Sequence, residues 1–585
     1  MTRLTLLVSL LLCLVFPINA QKKSVSSLCT RDNALDTTKQ HILLTRTFDN
    51  PVQRIAVLLR AADLLWPHDR TTSIATFMEA FDLAVQNFKE KGDEVQRTSS
   101  SQFAAAIPLP DQRFKVISAL AKRDPARAQK LSEQLIHEND TREAVDAQSQ
   151  RRTADKLILM AHGLASTDPP AAVSFARQSF RYPATLQLPI FLYELSKSGQ
   201  QLADRFYVEA LDAYRMAPMD QFLYLSSYPF GNTREAGEMP GYTFYAIPEG
   251  FTPNRALQRM FIQALLLRVN SAMETPVQEA PSYRYSDHAN MWLALNRLEK
   301  HVQSEPDLAD AFARSKDKLF ALLTPNVQRN VSRVIDTDNT PKKSFDEQVE
   351  AAEKLTDVGR RDMGLTMAVT GSSSDVPVDR VLSVIDKISE STVRDSLLNW
   401  FYYFRTQALI KDKELSEARK FASKVTELDQ RAFLFTRIAE ESLKVAEDQT
   451  EAREMLNEVA NTISKAPKTI VSARALLALA HLYAKVDMNR GVEELGNAVR
   501  TINTLESPDF SRQFVMMKIE GKTFGSYAAY STPGFNPENA FREMGKLDFD
   551  GSLVQATNFS DKSLRALTTL AVIEPCFHAK TQRRR

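Results

Sequence analysis

Only three cysteines occur in 585 residues, and no C-x-x-C pair is among them. A dense disulfide framework is therefore excluded. An excess of charge of one sign is missing too. The chain has 74 Lys and Arg against 72 Asp and Glu, for a net charge of +2. That balance removes the electrostatic footprint of a nucleic-acid binder. Beyond the amino terminus no apolar run reaches membrane length, so no transmembrane span is expected in the mature chain. The familiar catalytic phrases are absent as well: H-E-x-x-H, G-x-S-x-G, the P-loop and G-x-G-x-x-G. Eight histidines are dispersed. No cofactor and no metal is expected.

What is present begins at the amino terminus. Arg3 precedes an apolar stretch over residues 4–16, and Pro17-Ile18-Asn19-Ala20 follows. This is the pattern of a secretory signal over residues 1–20, and it predicts export to a periplasmic or extracellular space. Its removal leaves Cys29 and Cys576, near opposite ends of the chain. In an oxidising compartment they could pair; two unrelated thiols are the alternative. Sequons at Asn139, Asn330 and Asn558 matter only where the source glycosylates its exports. The basic tail over residues 580–585 reads as a frayed end.

A short phrase then recurs: apolar, Ser/Thr, Asp/Glu, three free positions, Arg. It stands at Leu355-Thr356-Asp357 with Arg361, Ile388-Ser389-Glu390 with Arg394, Val425-Thr426-Glu427 with Arg431, and Phe559-Ser560-Asp561 with Arg565. The first three lie 33 and 37 residues apart, which is the signature of stacked repeat units. Ser or Thr before an acid predicts a hydroxyl cap on a new helix, with the carboxylate at the positive end of the helix dipole. The acid and the Arg form i,i+4 pairs in the favoured order, each worth about 0.2–0.5 kcal/mol. The apolar residue is placed to staple the new helix to the previous one. A second reading makes the four arginines an anion-binding ladder.

Between these phrases the periodicity is helical. Leu397, Phe401, Phe404 and Ala408 share one face; Ala418, Ala422 and Val425 share the face of the next helix. Breaks at Asp412, Asp448 and Asp487 are 36 and 39 residues apart. In the first half, Asp124-Pro125 and Asp168-Pro169 open helices, with Asp as cap and Pro in the first turn. Trp66-Pro67-His68-Asp69 leads into another helix. The prediction is an all-α superhelical array of antiparallel helical hairpins. Its expected divisions are a signal (1–20), amino-terminal hairpins (21–217), an irregular segment with a connecting helix (218–290), central and carboxy-terminal hairpins (291–507), and a loop-rich insertion with a final hairpin (508–585).

The unit over residues 472–501 resembles a tetratricopeptide repeat. Leu476, Leu479, Ala480 and Tyr483 match the first-helix pattern, and Gly491, Leu495 and Ala498 the second. The turn is one residue shorter than in that family. The resemblance covers this one unit well, and implies an α-solenoid whose concave face binds protein or peptide.

Three segments interrupt the rhythm. Residues 369–379 read as a flexible turn, and Lys522 to Tyr527 as a short hairpin. The longest, residues 218–253, is rich in Pro, Gly and aromatics and is expected to be non-helical. Its Tyr224, Tyr228, Phe230, Tyr242, Phe244 and Tyr245 are the candidate binding residues, since exposed aromatics stack on peptides and sugars; an internal plug is the competing reading. Asp336 and Asp338 read as a polar loop. Ser315-x-x-Lys318 lacks the companion motifs of a penicillin-binding nucleophile. Glu441-Ser442 lacks the stretch that follows the catalytic pair of a lytic transglycosylase, and reads as a surface pair. The functional expectation is an exported interaction module with a protein or peptide partner, or a glycan. An enzyme of unrecognised family acting on cell-envelope glycan is the alternative.

Overall fold

The computed structural model describes residues 28–92, 95–97, 106–108, 111–140, 147–231, 247–274, 286–303, 305–339, 343–373, 375–444, 449–506, 508–510, 514–522, 524–532 and 535–578. The amino-terminal pattern, Tyr242, Phe244, Tyr245 and the basic tail lie outside them. The chain forms two compact units: Asp49–Glu350, and Met1–Phe48 together with Ala351–Arg585. Helix α1 (Arg31–Leu44) belongs to the latter.

In the unit 49–350, α2 (Pro51–Leu65) pairs with α3 (Arg70–Lys91), α4 (Gln112–Ala121) with α5 (Pro125–Asp140), and α6 (Ala147–His162) with α7 (Pro169–Gln178). Asp69, Asp111 and Asp168 cap α3, α4 and α7, each accepting from a first-turn backbone N–H. This is the local rule that made the starts at Asp69 and Asp168 readable; the one at Asp111 was not read. Two short antiparallel strands, β1 (Val95–Arg97) and β2 (Ala106–Pro108), join α3 to α4. Next come α8 (Gln187–Ala213), α9 (Met219–Leu223), α10 (Ser227–Phe230), α11 (Arg255–Ala272), α12 (Asp287–Val302), α13 (Pro306–Leu322) and α14 (Pro325–Asn339). Asp336 and Asp338 are thus in a helix, not a loop.

The aromatic segment departs from expectation. Residues 219–230 are helical, with a 3-10 turn at Tyr224–Ser226 between α9 and α10. The chain turns out at Gly231 (φ 62°), where a Cβ would also meet Pro253 Cγ at 3.0 Å. Tyr228 is 1% exposed and Phe230 5%, so neither is a binding surface. The Tyr228 ring lies 5.5 Å from Tyr193 and 5.6 Å from Tyr207, centroid to centroid. Its hydroxyl donates to Asp204 Oδ1 at 2.9 Å, and Asn254 Nδ2 donates to Asp204 Oδ2 at 2.8 Å. Burial pushes the Tyr228 phenol pKa up, and the Asp204 carboxylate adds to this. Tyr224 is half-buried. The described aromatics fill the core because edge and face contacts among rings stabilise a bend between helices. Tyr228→Phe removes a buried hydrogen bond to a charged group and is expected to cost about 2 kcal/mol. Chemical denaturation measures this; an unchanged midpoint would place the hydroxyl in solvent.

In the other unit, helix α15 (Phe345–Glu353) carries the chain across the division. Then come α16 (Val358–Thr370) and α17 (Val378–Ile385), α18 (Ser391–Lys411) and α19 (Leu415–Ala422), α20 (Leu428–Ser442) and α21 (Gln449–Ser464), and α22 (Ile470–Val486) and α23 (Met488–Ile502). Each pair is a helical hairpin, so the all-α reading and the degenerate repeat reading both stand. In the tetratricopeptide-like pair, Leu476, Leu479, Ala480 and Tyr483 are buried. A Cβ on Gly491 would lie 2.8 Å from Ala484 Cα, so only glycine lets α22 and α23 approach this closely. Strands β3 (Phe514–Glu520) and β4 (Gly525–Ser531) pair antiparallel. Val515, Met517 and Ile519 are buried on alternate positions, and β3 packs on α18 and α20. The first strand ends at Glu520 and the second begins at Gly525, so of the expected Lys522 to Tyr527 hairpin only Gly525 to Tyr527 is strand. Helices α24 (Pro537–Leu547), α25 (Phe549–Thr557) and α26 (Lys562–Ile573) close the unit. Ser442 is fully buried in α20, which corrects the surface reading of Glu441-Ser442.

The recurring phrase is a junction between hairpins. Asp357 Oδ1 accepts from Arg360 N at 2.7 Å, and Asp561 Oδ1 from Leu564 N at 2.8 Å. Glu390 and Glu427 occupy the same cap position by backbone geometry. The acid, not the preceding hydroxyl residue, is therefore the cap. The Ser/Thr N–H of the later three phrases is instead taken by a side chain from earlier in the chain. Asp362 Oδ2 accepts from Ser389 N and Glu390 N at 3.0 and 3.1 Å. Asn399 Oδ1 accepts from Thr426 N at 2.8 Å, and Asn503 Oδ1 from Ser560 N at 2.8 Å. Ile388, Val425 and Phe559 are buried at the apolar position, while Leu355, first in the series, is 42% exposed.

The arginines do not turn to the acid four residues back. Arg394 Nη1 donates to the Ile388 carbonyl at 3.1 Å. Arg565 Nε and Nη2 donate to the Phe559 carbonyl at 2.9 and 2.7 Å. Arg361 Nη2 donates to Ser389 Oγ at 2.6 Å. Arg394 and Arg565 thus satisfy the carbonyl of the apolar residue that opens their own phrase, an acceptor outside the helix ladder.

Cys29 and Cys576 are joined, with Cα atoms 5.0 Å apart. The bond fastens the start of α1 to the 3-10 turn Glu574–His578 after α26. Helix α1 itself buries only Ala34 and Thr38. Burial lowers the His41 pKa, and the charge of Arg565 lowers it further. Among the described residues no helix is long and apolar enough to cross a membrane.

Candidate functional site

Helix α21 has two unlike faces. Ala452, Met455, Leu456, Val459, Ala460 and Ile463 are buried at helical spacing. The other face carries Glu454, Asn457, Glu458, Asn461 and Thr462, with Lys465 just beyond the helix end. A polar face on a repeat helix is ordinarily solvated surface. Here Arg419 of α19 stands over it, and together they line an open groove of about 590 Å³.

Arg419 organises the wall. Its guanidinium is 3.6 Å from Glu454 and 3.2 Å from Glu458. The Tyr483 hydroxyl donates to Asn457 Oδ1 at 2.7 Å, which fixes that amide from the next hairpin. Asn461 and Lys465 are exposed. A smaller cleft of about 30 Å³ shares Glu458 and Thr462 with the groove and adds Ser423, Leu428, Arg431, Ala432, Phe435 and Val459. The arrangement offers amide donors and acceptors, fixed carboxylates and cations along a concave surface. It suits holding a chain with polar backbone groups. Both lining carboxylates are engaged by one guanidinium, an arrangement for binding more than for proton transfer.

A second depression, about 460 Å³, lies at the β3–β4 tip beside Glu390, Thr392, Ser396, Lys518 and Lys522. Its chemistry is structural. The Glu390 carboxylate accepts from Lys522 N, and a Cβ on Gly521 would meet Val393 Cγ2 at 2.5 Å.

Of the candidate residues named from sequence, Tyr228 and Phe230 go to the core, Tyr224 to a 3-10 turn, and Arg431 alone to the groove region. Ser315 is buried, and its Oγ donates to Asn270 Oδ1 at 3.4 Å. His481 is held at a pKa of about 4, by burial first and by Lys485. Among the described residues no group of three or more His, Cys, Asp or Glu is placed to hold a metal ion. The groove residues were missed because the pattern E-x-x-N-E-x-x-N-T-x-x-K carries only a polar helical face. The concavity comes from α19, some forty residues earlier.

No family model matches the chain, and no curated protein matches it. Among solved structures it is matched to a circular tandem repeat protein with novel repeat topology and enhanced subunit contact surfaces. The identity is 11%, over 93% of this chain and 97% of that one, with a TM-score of 0.11. At that score the match carries no argument about fold or function.

Proposed function

We propose that this chain is an exported helical-repeat interaction module, and that the groove between α19 and α21 holds a protein or peptide partner. The observation that carries the reading is the groove wall itself. Asn457 and Asn461 stand one helical turn apart, and the charges beside them are fixed by Arg419. Amides at that spacing match the donors and acceptors of a peptide backbone. A glycan partner fits less well, because the lining presents no exposed aromatic face. Export is supported by the amino-terminal pattern and by the bond between Cys29 and Cys576, which persists in oxidising compartments.

Asn461→Arg combined with Lys465→Glu alters two exposed side chains and should leave the melting temperature unchanged. Affinity capture from the native envelope or secreted fraction, run beside the wild-type protein, is expected to lose a partner at least tenfold, a change of about 1.4 kcal/mol or more. Identical captured sets at equal melting temperature would remove the groove from the interaction.

A further inference from the structure

We infer that the groove recognises an acidic peptide segment, and that Arg431 is the residue that takes its carboxylate. The inference rests on the interaction-module reading and names the ligand chemistry at that site.

The repeat supplies an internal comparison. Arg361, Arg394 and Arg565 stand at the same register of the phrase; Arg394 and Arg565 each donate to the apolar residue's carbonyl in their own phrase, and Arg361 donates to Ser389 Oγ of the next one. Arg431 makes no ion pair and no side-chain hydrogen bond among the described residues. It is half-buried and lines the cleft beside the groove. A guanidinium with no acceptor among the described residues, set in a cleft, keeps its paired N–H donors open to an anion. Arg419 is not so placed, since Glu454 and Glu458 already hold it.

The surroundings select the anion. Leu428, Ala432 and Phe435 line the cleft beside Arg431; at about 30 Å³ it admits a carboxylate oxygen and leaves the methylene of an Asp or Glu side chain at its mouth, against Leu428. A carboxylate there can take two parallel N–H bonds from the guanidinium. Glu458 lines the same cleft, and Arg419 at 3.2 Å offsets its charge, so a single acidic side chain beside Arg431 meets less repulsion than a polyanion running along the wall. Asn461 remains beside the cleft to hold the flanking backbone. Of the two earlier readings of the phrase arginines, pairing and anion binding, the second thus applies to one of the four.

The test is selection of phage-displayed random linear peptides on the full protein, followed by affinity measurement of the selected peptides. Selected peptides are expected to share an Asp or Glu at one position. Changing that residue to Asn or Gln should weaken binding at least tenfold. Arg431→Gln should weaken the acidic peptide equally, leave its amide version unaffected, and show a native circular dichroism spectrum. Arg431→Lys should restore part of the loss. The peptide-side substitution on wild-type protein decides the matter even if the Arg431 variants fail to fold. Peptides that bind without an acidic residue, and are still blocked by Asn461→Arg, would overturn this inference and leave the interaction module standing. An anionic oligosaccharide that binds through Arg431 where peptides do not would overturn the peptide assignment. Selection of no peptide would overturn both.

Discussion

Asp111→Ala is expected to destabilise the unit 49–350 by about 3–5 kcal/mol, because it leaves a buried cation without its partner. Asp111 caps α4, with Oδ1 accepting from Arg113 N at 3.0 Å. The same carboxylate takes Arg113 Nη2 at 2.9 Å and Lys156 Nζ at 3.0 Å. The Asp111 and Arg113 side chains are 1% and 4% exposed. Arg113 also lies over the Phe88 ring, 3.2 Å from its centroid. Burial alone would raise the Asp111 pKa, but hydrogen bonds and charge from Arg113 and Lys156 outweigh it and hold the carboxyl below its ordinary value.

The sign of the pH dependence follows. The folded state keeps Asp111 ionised at lower pH than the unfolded chain does. Its contribution is therefore complete above the unfolded value of about 3.9 and is lost as pH falls through the folded value. Urea unfolding at neutral pH should show the full deficit of the alanine variant, and the gap to wild type should narrow below about pH 4. Asp111→Asn keeps a capping oxygen and removes the charge, so its loss should be smaller. Replacing Asp111, Arg113 and Lys156 together by apolar residues should recover much of the deficit. An alanine variant within about 0.5 kcal/mol of wild type would show the cluster to be solvated.

Cys29→Ser with Cys576→Ser is expected to cost about 2–5 kcal/mol in the unit that contains both ends. The bond spans 547 residues, so the unfolded chain loses much freedom when it is closed. The native state gives a second reason. Helix α1 buries only Ala34 and Thr38 and has little apolar surface to hold it once the bond is gone. Limited proteolysis should cut the variant first within residues 31–48, before the hairpins α18 to α23 open. A dithiol reductant should reproduce the effect in wild type and do nothing further to the variant. Equal melting temperatures and equal cleavage patterns would show that α1 docks without the bond.

The parts of this fold legible in the sequence are those set within one helical turn. Asp168 before two prolines starts α7, and the face of Leu397 and Phe401 is buried as its spacing requires. The recurring phrase marks helix starts for the same reason, since a cap and its N–H are three residues apart. Its finer content was not legible. Which residue caps, and what each arginine binds, depend on Asp362, Asn399 and Asn503, which reach the next junction from 27 to 57 residues away. Nothing in the phrase encodes those partners.

The aromatic segment and the groove show the same division from opposite sides. Pro, Gly and aromatic density in residues 218–231 carries no direction, and Tyr193, Tyr207 and Asp204 on α8 turn Tyr228 inward. The polar face of α21 is plain in the sequence, yet it becomes a groove only where Arg419 is brought over it. The sequence by itself determined the helices, their hairpin rhythm and the cysteines available to join the chain ends. Tertiary structure alone decided which aromatics are core, which phrase arginine has no partner among the described residues and where concavity forms. Periodicity and capping act over three or four bonds of the helix ladder, whereas burial and charge pairing are settled by residues that meet only after the chain has folded.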